Sequence, residues 1–157
     1  MKTLYLDCSM RAAGDMLTAA LLELIPDQDA FIEELNGLGI PEVQIKKERS
    51  VKCGITGTRI SVTVHGEEEE SVDVQHRYHD YEQEHHHSGI HDIKQIVGGH
   101  ICGGLCTPTG AALLKYFAVR FGDMPTMSVK TTGYGMGKKD FEVANCVRAF
   151  LGETTDR

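Results

Sequence analysis

No stretch of this sequence is apolar and long enough to cross a bilayer. The best run, Met16 to Ile25, is interrupted by Glu23 and falls well short of the roughly 20 residues a spanning helix needs. A basic stripe is missing too. With 16 Lys and Arg against 23 Asp and Glu the net charge is −7, which argues against nucleic acid, whose phosphates demand clustered cations. A small-molecule or cationic partner fits better. The opening M-K-T-L-Y-L-D-C places Asp7 too early for a signal peptide. A disulfide framework is also lacking, because the five cysteines, Cys8, Cys53, Cys102, Cys106 and Cys146, are odd in number and dispersed. These absences predict a soluble, cytoplasmic protein with no membrane and no nucleic-acid partner. No internal repeat recurs at a fixed period. The 157 residues therefore read as a single domain, 1–157, able to bury roughly 70% of its unfolded surface without disulfide or metal staples.

Histidine is absent from both ends of the chain. All eight lie between His65 and His100, and four fall in E-H-H-H-S-G-I-H, Glu84 to His91. Clustered imidazoles are the mark of a transition-metal site, since neutral imidazole suits nickel, copper, zinc and iron. A solvated polar loop has the same composition. Within the cluster, His87 and His91 stand four apart and His76 and His79 three apart, spacings that put each pair on one helix face. His85, His86 and His87 point in different directions, so at most two of them serve one centre. Asp80, Glu82, Glu84 and Asp92 are further ligands or orienting partners.

The chain alternates between two periods. T-L-Y-L-D-C reads as a buried strand that delivers Asp7 and Cys8 to its end. A helix capped by Asp15 follows, with Leu17, Ala20, Leu21 and Leu24 as its stripe and Pro26 as its stop. Asp27 caps a second helix through Phe31, Ile32, Leu35 and Leu38, ending at Gly39. From Glu42 the period is 2: Val43 and Ile45, then Ile60, Val62 and Val64, predict a hairpin around Cys53 to Gly57 with a bulged loop. From Glu67 to about Asp92 the sequence is acidic, His-rich and almost without aliphatic residues, which predicts a linker or mobile loop over 67–92. T-P-T-G-A-A-L-L-K-Y-F-A-V-R-F-G then predicts a helix capped by Thr107 with Pro108 first, Leu113, Leu114, Phe117 and Phe121 inward, and Gly122 as the stop. Met127 and Val129 open a strand, G-Y-G-M-G-K-K-D makes a glycine-rich connection, and Val147, Ala149 and Leu151 alternate through a last strand. The class is α+β: a mixed, largely antiparallel sheet with helices on one face, with a ferredoxin-like split β-α-β arrangement among the forms this order allows.

Several places carry chemistry. Cys102 and Cys106, four apart and near His100, form a soft-ligand pair or ordinary small residues of a loop. Cys8, beside Asp7 and near a helix start, sits where the helix dipole favours thiolate, and equally where any small apolar residue would fit. Gly14 with Asp15, and Thr107 with Thr109 and Gly110, open two helices whose free N–H groups meet either a cap or an anionic ligand. Gly135, Gly137 and Lys138 lie in a run suited to nest a phosphate, with Lys139 beside them, although it matches neither the P-loop nor the dinucleotide pattern.

Taken in order, L-Y-L-D-C with A-A-G-D-M, G-I-T-G-T-R, H-H-H-S-G-I-H-D-I, L-C-T-P-T-G-A-A-L-L-K-Y-F-A and G-Y-G-M-G-K-K-D-F-E-V-A-N-C-V-R-A-F-L-G-E resemble the LarC-type nickel insertion proteins. These mature the nickel-pincer cofactor of lactate racemase. The resemblance implies CTP-dependent insertion of nickel, a lyase-class activity, into a pyridinium dithiocarboxylate mononucleotide. The histidine cluster would then deliver nickel, captured by some of His76, His79, His85, His86, His87 and His91, with Asp7, Cys8 and Asp15 at the first helix start as the expected catalytic set. Gly14, Thr107, Thr109, Gly110, Gly135, Gly137 and Lys138 would hold substrate or CTP with a divalent cation. Family members carry a long central region between His100 and L-C-T-P-T-G and continue past the position of Arg157, and they have glycine where this chain has Arg11. A shortened form that only binds metal or nucleotide, or that works with another maturation subunit, is the alternative these departures raise.

Overall fold

The computed structural model describes residues 1–68 and 106–155. Strand β1 (Lys2–Asp7) leads into helix α1 (Gly14–Leu22) and helix α2 (Gln28–Asn36). A hairpin follows, β2 (Val43–Lys52) with β3 (Ile55–Val64), and then a two-residue strand, β4 (Glu67–Glu68). Helix α3 (Pro108–Phe117) and the strands β5 (Met127–Met136) and β6 (Cys146–Thr154) complete the described part. The sheet runs β1-β6-β5-β3-β2, with β4 on β3. Among the described strands every pairing is antiparallel except β3 with β5, which meet in parallel at Thr58 and Gly135. This is the expected α+β class with a mixed, largely antiparallel sheet. The order departs from the ferredoxin-like option in one respect, because among the described strands β1 pairs with β6 alone and stands at the end of the order rather than in its interior. Among the described residues no helix is long and apolar enough to cross a membrane.

The helices pack on the sheet. One apolar cluster joins Met16, Leu17 and Ala20 of α1 to Val147 and Ala149 of β6 and Leu114 of α3, while a second joins Ala19 and Leu22 to Ile60, with Phe31, Ile32, Ile45 and Val62 around it. Helix α1 is thus buried on more than one side. The expected single stripe over Leu17, Ala20, Leu21 and Leu24 is accordingly broader and rotated: Leu22 is buried and Leu21 is partly exposed. What lets the helix come so close is the pair Gly133 and Gly135. A Cβ on Gly135 would lie 1.8 Å from the Met16 carbonyl oxygen, and one on Gly133 2.1 Å from that of Ala20.

Here the expectation of a glycine-rich connection fails. Gly133, Tyr134, Gly135 and Met136 belong to β5, because glycine is needed for helix–sheet approach rather than for a turn. The hairpin loop is also shorter than expected. Lys52 pairs with Ile55, leaving only Cys53 and Gly54 between the strands, at φ of 48° and 79°. Two positive φ values in succession supply the twist of a two-residue hairpin turn, so no bulge is required.

The caps divide. Asp27 accepts the Ala30 N–H at 3.0 Å and Thr107 accepts that of Gly110 at 3.2 Å, as the sequence predicts. Asp15 does not cap α1. The capping position is Ala13, which has no side-chain bond, and Asp15 lies one residue inside, where its charge faces the positive end of the helix dipole. Helices α2 and α3 end at Asn36 and Phe117 rather than at Gly39 and Gly122, and Phe117, expected inside, is exposed. The acidic stretch begins as strand β4 at Glu67 and Glu68. The remainder of the 67–92 segment and the pair made with Cys102 lie outside the described residues.

Candidate functional site

Two helix starts are brought side by side by the backbone. The Thr107 N–H donates to the Ala12 carbonyl at 3.1 Å, and Ala12 and Cys106 form an isolated parallel bridge. Gly110 completes the contact, since a Cβ there would lie 2.0 Å from the Ala12 oxygen. The starts of α1 and α3 thereby open into one cavity of about 880 Å³, where Gly14 and Asp15 meet Thr107 and Thr109. Phe31, Leu35, Ile45, Ile60 and Val62 give it an apolar lining.

The remaining lining is charged. Gly137, Lys138 and Lys139 follow the end of β5, and Arg59, Glu68 and Arg11 join them. Arg59 sits opposite Glu48 in the hairpin register, and its guanidinium contacts Glu48 Oε1 at 3.5 Å and Glu68 Oε1 with its other nitrogen. Lys138 Nζ reaches Glu68 Oε2 at 3.4 Å. Burial opposes the charge on Glu68, but Arg59 and Lys138 outweigh it and hold the carboxyl below its ordinary value. Asn145, which is fully buried, anchors the lysine turn: its side-chain amide donates to the Lys139 carbonyl at 2.9 Å and its own carbonyl accepts the Gly137 N–H at 2.9 Å. Four cations around two helix starts make a region suited to bind an anion.

Of the residues expected from the sequence, Gly14, Asp15, Thr107, Thr109, Gly137 and Lys138 share this cavity. Gly110 lies against Ala12 and Gly135 under α1, both in packing positions. Asp7 and Cys8 are not among the lining residues. Burial opposes the charge of Asp7, yet the Ser9 N–H at 3.0 Å, the Ser9 hydroxyl and the Arg148 guanidinium lower its pKa overall. Of the two readings open for Cys8, the surroundings favour the small apolar residue over the thiolate. Burial, reinforced by Cys106 and by the Asp7 charge, pushes its thiol up to about 12, and burial pushes Cys106 up to about 11. Desolvation outweighs any pull from the helix start, because both sulfurs sit against the apolar cluster. His76, His79, His85, His86, His87 and His91 lie outside the described residues. Among the described residues no group of three or more His, Cys, Asp and Glu is placed to hold a metal ion.

Arg59 and Glu68 are the cavity residues that sequence reasoning passed over. Alternation marks Arg59 only as a polar strand position, and Glu68 only as part of an acid run. Their pairing with Lys138 depends on β4 folding back along β3 beside the end of β5, a relationship no local pattern encodes.

A family model described as nickel insertion protein matches residues 4–102 and 99–157. Similar curated proteins include the pyridinium-3,5-bisthiocarboxylic acid mononucleotide nickel insertion protein of Clostridium kluyveri, 28% identical, covering 98% of this chain and 62% of the relative. Proteins of the same name from Desulfitobacterium hafniense and Acetivibrio thermocellus are 26% and 24% identical, covering 99% and 100% of this chain and 60% and 62% of theirs. The chain spans about three fifths of the length of these relatives. The alignment to the first runs over 249 positions, more than the 157 residues present, so the relative carries inserted residues absent here. No solved structure matches the chain.

Proposed function

Because the chain belongs to the nickel insertion protein family, we propose that it loads nickel into pyridinium-3,5-bisthiocarboxylic acid mononucleotide, with nickel and the mononucleotide as its substrates. The observation that carries this reading is the cavity that joins the starts of α1 and α3 to Arg59, Lys138 and Lys139. Its volume suits a mononucleotide, within the usual range of about 300–1,000 Å³ for ligand pockets. The apolar lining from Phe31 to Val62 would face the ring and the cations the phosphate. Asp15, at the cavity wall, is the carboxylate assigned to take the proton that the ring loses as a carbon–nickel bond replaces carbon–hydrogen. Cys8 is not needed as a thiolate, since metal binding would first have to remove a strongly held proton. Cys8 packs against the apolar cluster that includes Ala13 of the cavity wall.

Nickel capture is assigned to His76, His79, His85, His86, His87 and His91, on composition and family resemblance. Neutral imidazole is the ligand, so nickel affinity should fall below about pH 6.5. CTP with a divalent cation is the co-substrate that the resemblance adds. The cavity's cations fit a nucleotide phosphate. The free thiols Cys8, Cys53, Cys106 and Cys146 are consistent with a cytoplasmic setting.

The deciding experiment supplies purified protein with nickel, CTP and the dithiolated precursor and assays activation of lactate racemase. Activation supports insertion by this chain. The relatives' greater length favours a second reading, in which this chain is a metal- or nucleotide-binding subunit, and that reading prevails if activation appears only after another maturation subunit is added. Calorimetry with nickel separates the histidine assignment: equal affinity in wild type and in a variant with His85, His86, His87 and His91 changed to alanine would sink it.

A further inference from the structure

Glu68 presents one carboxylate oxygen to Arg59 and the other to Lys138, and all three side chains line the cavity. We propose that Arg59 and Lys138 form a phosphate subsite which Glu68 occupies as an internal stand-in, so that a phosphate monoester binds by displacing this carboxylate. The ligand identity rests on the proposed function. The ion-pair arrangement does not.

Three observations support displacement rather than a permanent structural triad. The first is partial exposure: the Glu68 side chain is 33% exposed and that of Lys138 46%, so water and solutes reach the pair. The second is where Glu68 sits. Strand β4 lies off the main path of the sheet and, among the described strands, pairs with β3 alone, through Val64 with Glu67 and Thr63 with Glu68; peripheral pieces open locally at lower cost than central strands. The third is that Arg59 keeps its contact with Glu48, which would hold the guanidinium in place while Glu68 leaves. A phosphate monoester brings more oxygens and about twice the charge of a carboxylate, and a guanidinium fork meets it in the same two-point manner. It therefore competes well for cations already aimed at a two-oxygen anion. The nearby helix starts at Gly14 and Thr107 add field of the right sign.

The consequence is a ligand affinity set below its maximum by Glu68, and raised when that residue loses its charge. Calorimetry on the full chain without nickel would use three probes: inorganic phosphate, nicotinic acid mononucleotide as a pyridinium mononucleotide lacking thiocarboxylates, and CTP. Glu68→Gln, which keeps the shape, should bind tighter by about five- to tenfold. Lys138→Gln should bind about tenfold weaker, and Lys138→Arg should restore binding, a rescue that a folding defect would not show. A gain for the mononucleotide exceeding that for free phosphate supports the mononucleotide as ligand. A gain for phosphate or CTP supports the subsite with that source instead. If Glu68→Gln leaves all three affinities unchanged or weakens them, the stand-in role is overturned. The racemase-activation assay separates the two readings: insertion that fails with the Glu68→Gln gain intact removes the proposed function and leaves the subsite standing, and insertion that persists without the gain removes the subsite alone.

Discussion

Glu23, just past the end of α1, accepts the backbone N–H of Tyr134 at 2.7 Å with one oxygen while its other oxygen accepts the Thr58 hydroxyl at 2.8 Å. Tyr134 lies on β5 and Thr58 on β3, the two strands that meet in parallel through a single register pair. One carboxylate therefore joins the sheet where its own ladder is shortest, and it satisfies a backbone donor that the neighbouring strand leaves unpaired.

Glu23→Ala should destabilise the protein by about 1.5–3 kcal/mol, the range for hydrogen bonds to a charged acceptor. Urea unfolding followed by circular dichroism checks this. A loss below about 0.5 kcal/mol would mean that water replaces the carboxylate at no cost.

Gly135→Ala should be far worse than Gly54→Ala. The first forces a Cβ against the Met16 carbonyl, whereas the second meets nothing within 4 Å and strains only a left-handed turn residue. About 1 kcal/mol is expected at Gly54 and more than about 3 kcal/mol, or failure to fold, at Gly135. Equal stabilities would contradict the close approach of α1.

Thr107→Ala removes the cap of α3 and should cost about 1 kcal/mol. Asp27→Ala, at the more exposed α2, removes an equivalent bond and serves as the comparison. If the cavity binds an anion, only the Thr107 change should also weaken binding of nicotinic acid mononucleotide.

Asp7 makes stability depend on acid. Its carboxyl is held below the ordinary value by Ser9 and Arg148 despite burial, so its contribution is present above the unfolded pKa of about 3.9 and is lost as pH falls through the folded value. Arg148→Met should flatten that acid limb and cost about 1.5 kcal/mol at pH 7. Melting temperatures between pH 2 and pH 7 (about the range over which a carboxylate titrates) check the sign.

The buried thiols act at the other end of the scale. Unfolded cysteines ionise near 8.5, but Cys8 and Cys106 are raised to about 12 and about 11. Their neutral burial stabilises the fold below the unfolded value, and that contribution is lost as pH climbs toward the folded ones. In a Cys102→Ser background, exposed Cys53 should react with a charged thiol reagent at neutral pH well before Cys8 and Cys106. Simultaneous labelling would overturn the burial argument.

What the sequence discloses here is chiefly what is local. Asp27 and the Thr107-Pro108 start act within one helical turn, and the alternation of Ile60, Val62 and Val64 needs only a strand with one wet face. The features it conceals are made by neighbours distant in the chain. Gly133 and Gly135 read as a turn until α1 is laid across them, and Leu22 joins the core because α2 and the hairpin close over a second side of its helix. Cys8 reads equally as a thiolate or as a small apolar residue until its surroundings prove apolar. Half of the cavity was legible through the glycines and threonines that open its helices, whereas Arg59 and Glu68 enter only through the fold-back of β4.

Glu68 is paired to Thr63 of β3 and Cys106 is bridged to Ala12, so the described residues on either side of residues 69–105 both pair with the same sheet-and-helix body. The two family-model matches meet at residues 99–102, between those anchors. In general, each doubling of the length between two anchored points of a chain adds only about 0.6 kcal/mol to the cost of joining them. Length changes between these anchors therefore cost the sheet little, in keeping with relatives that carry inserted residues absent here.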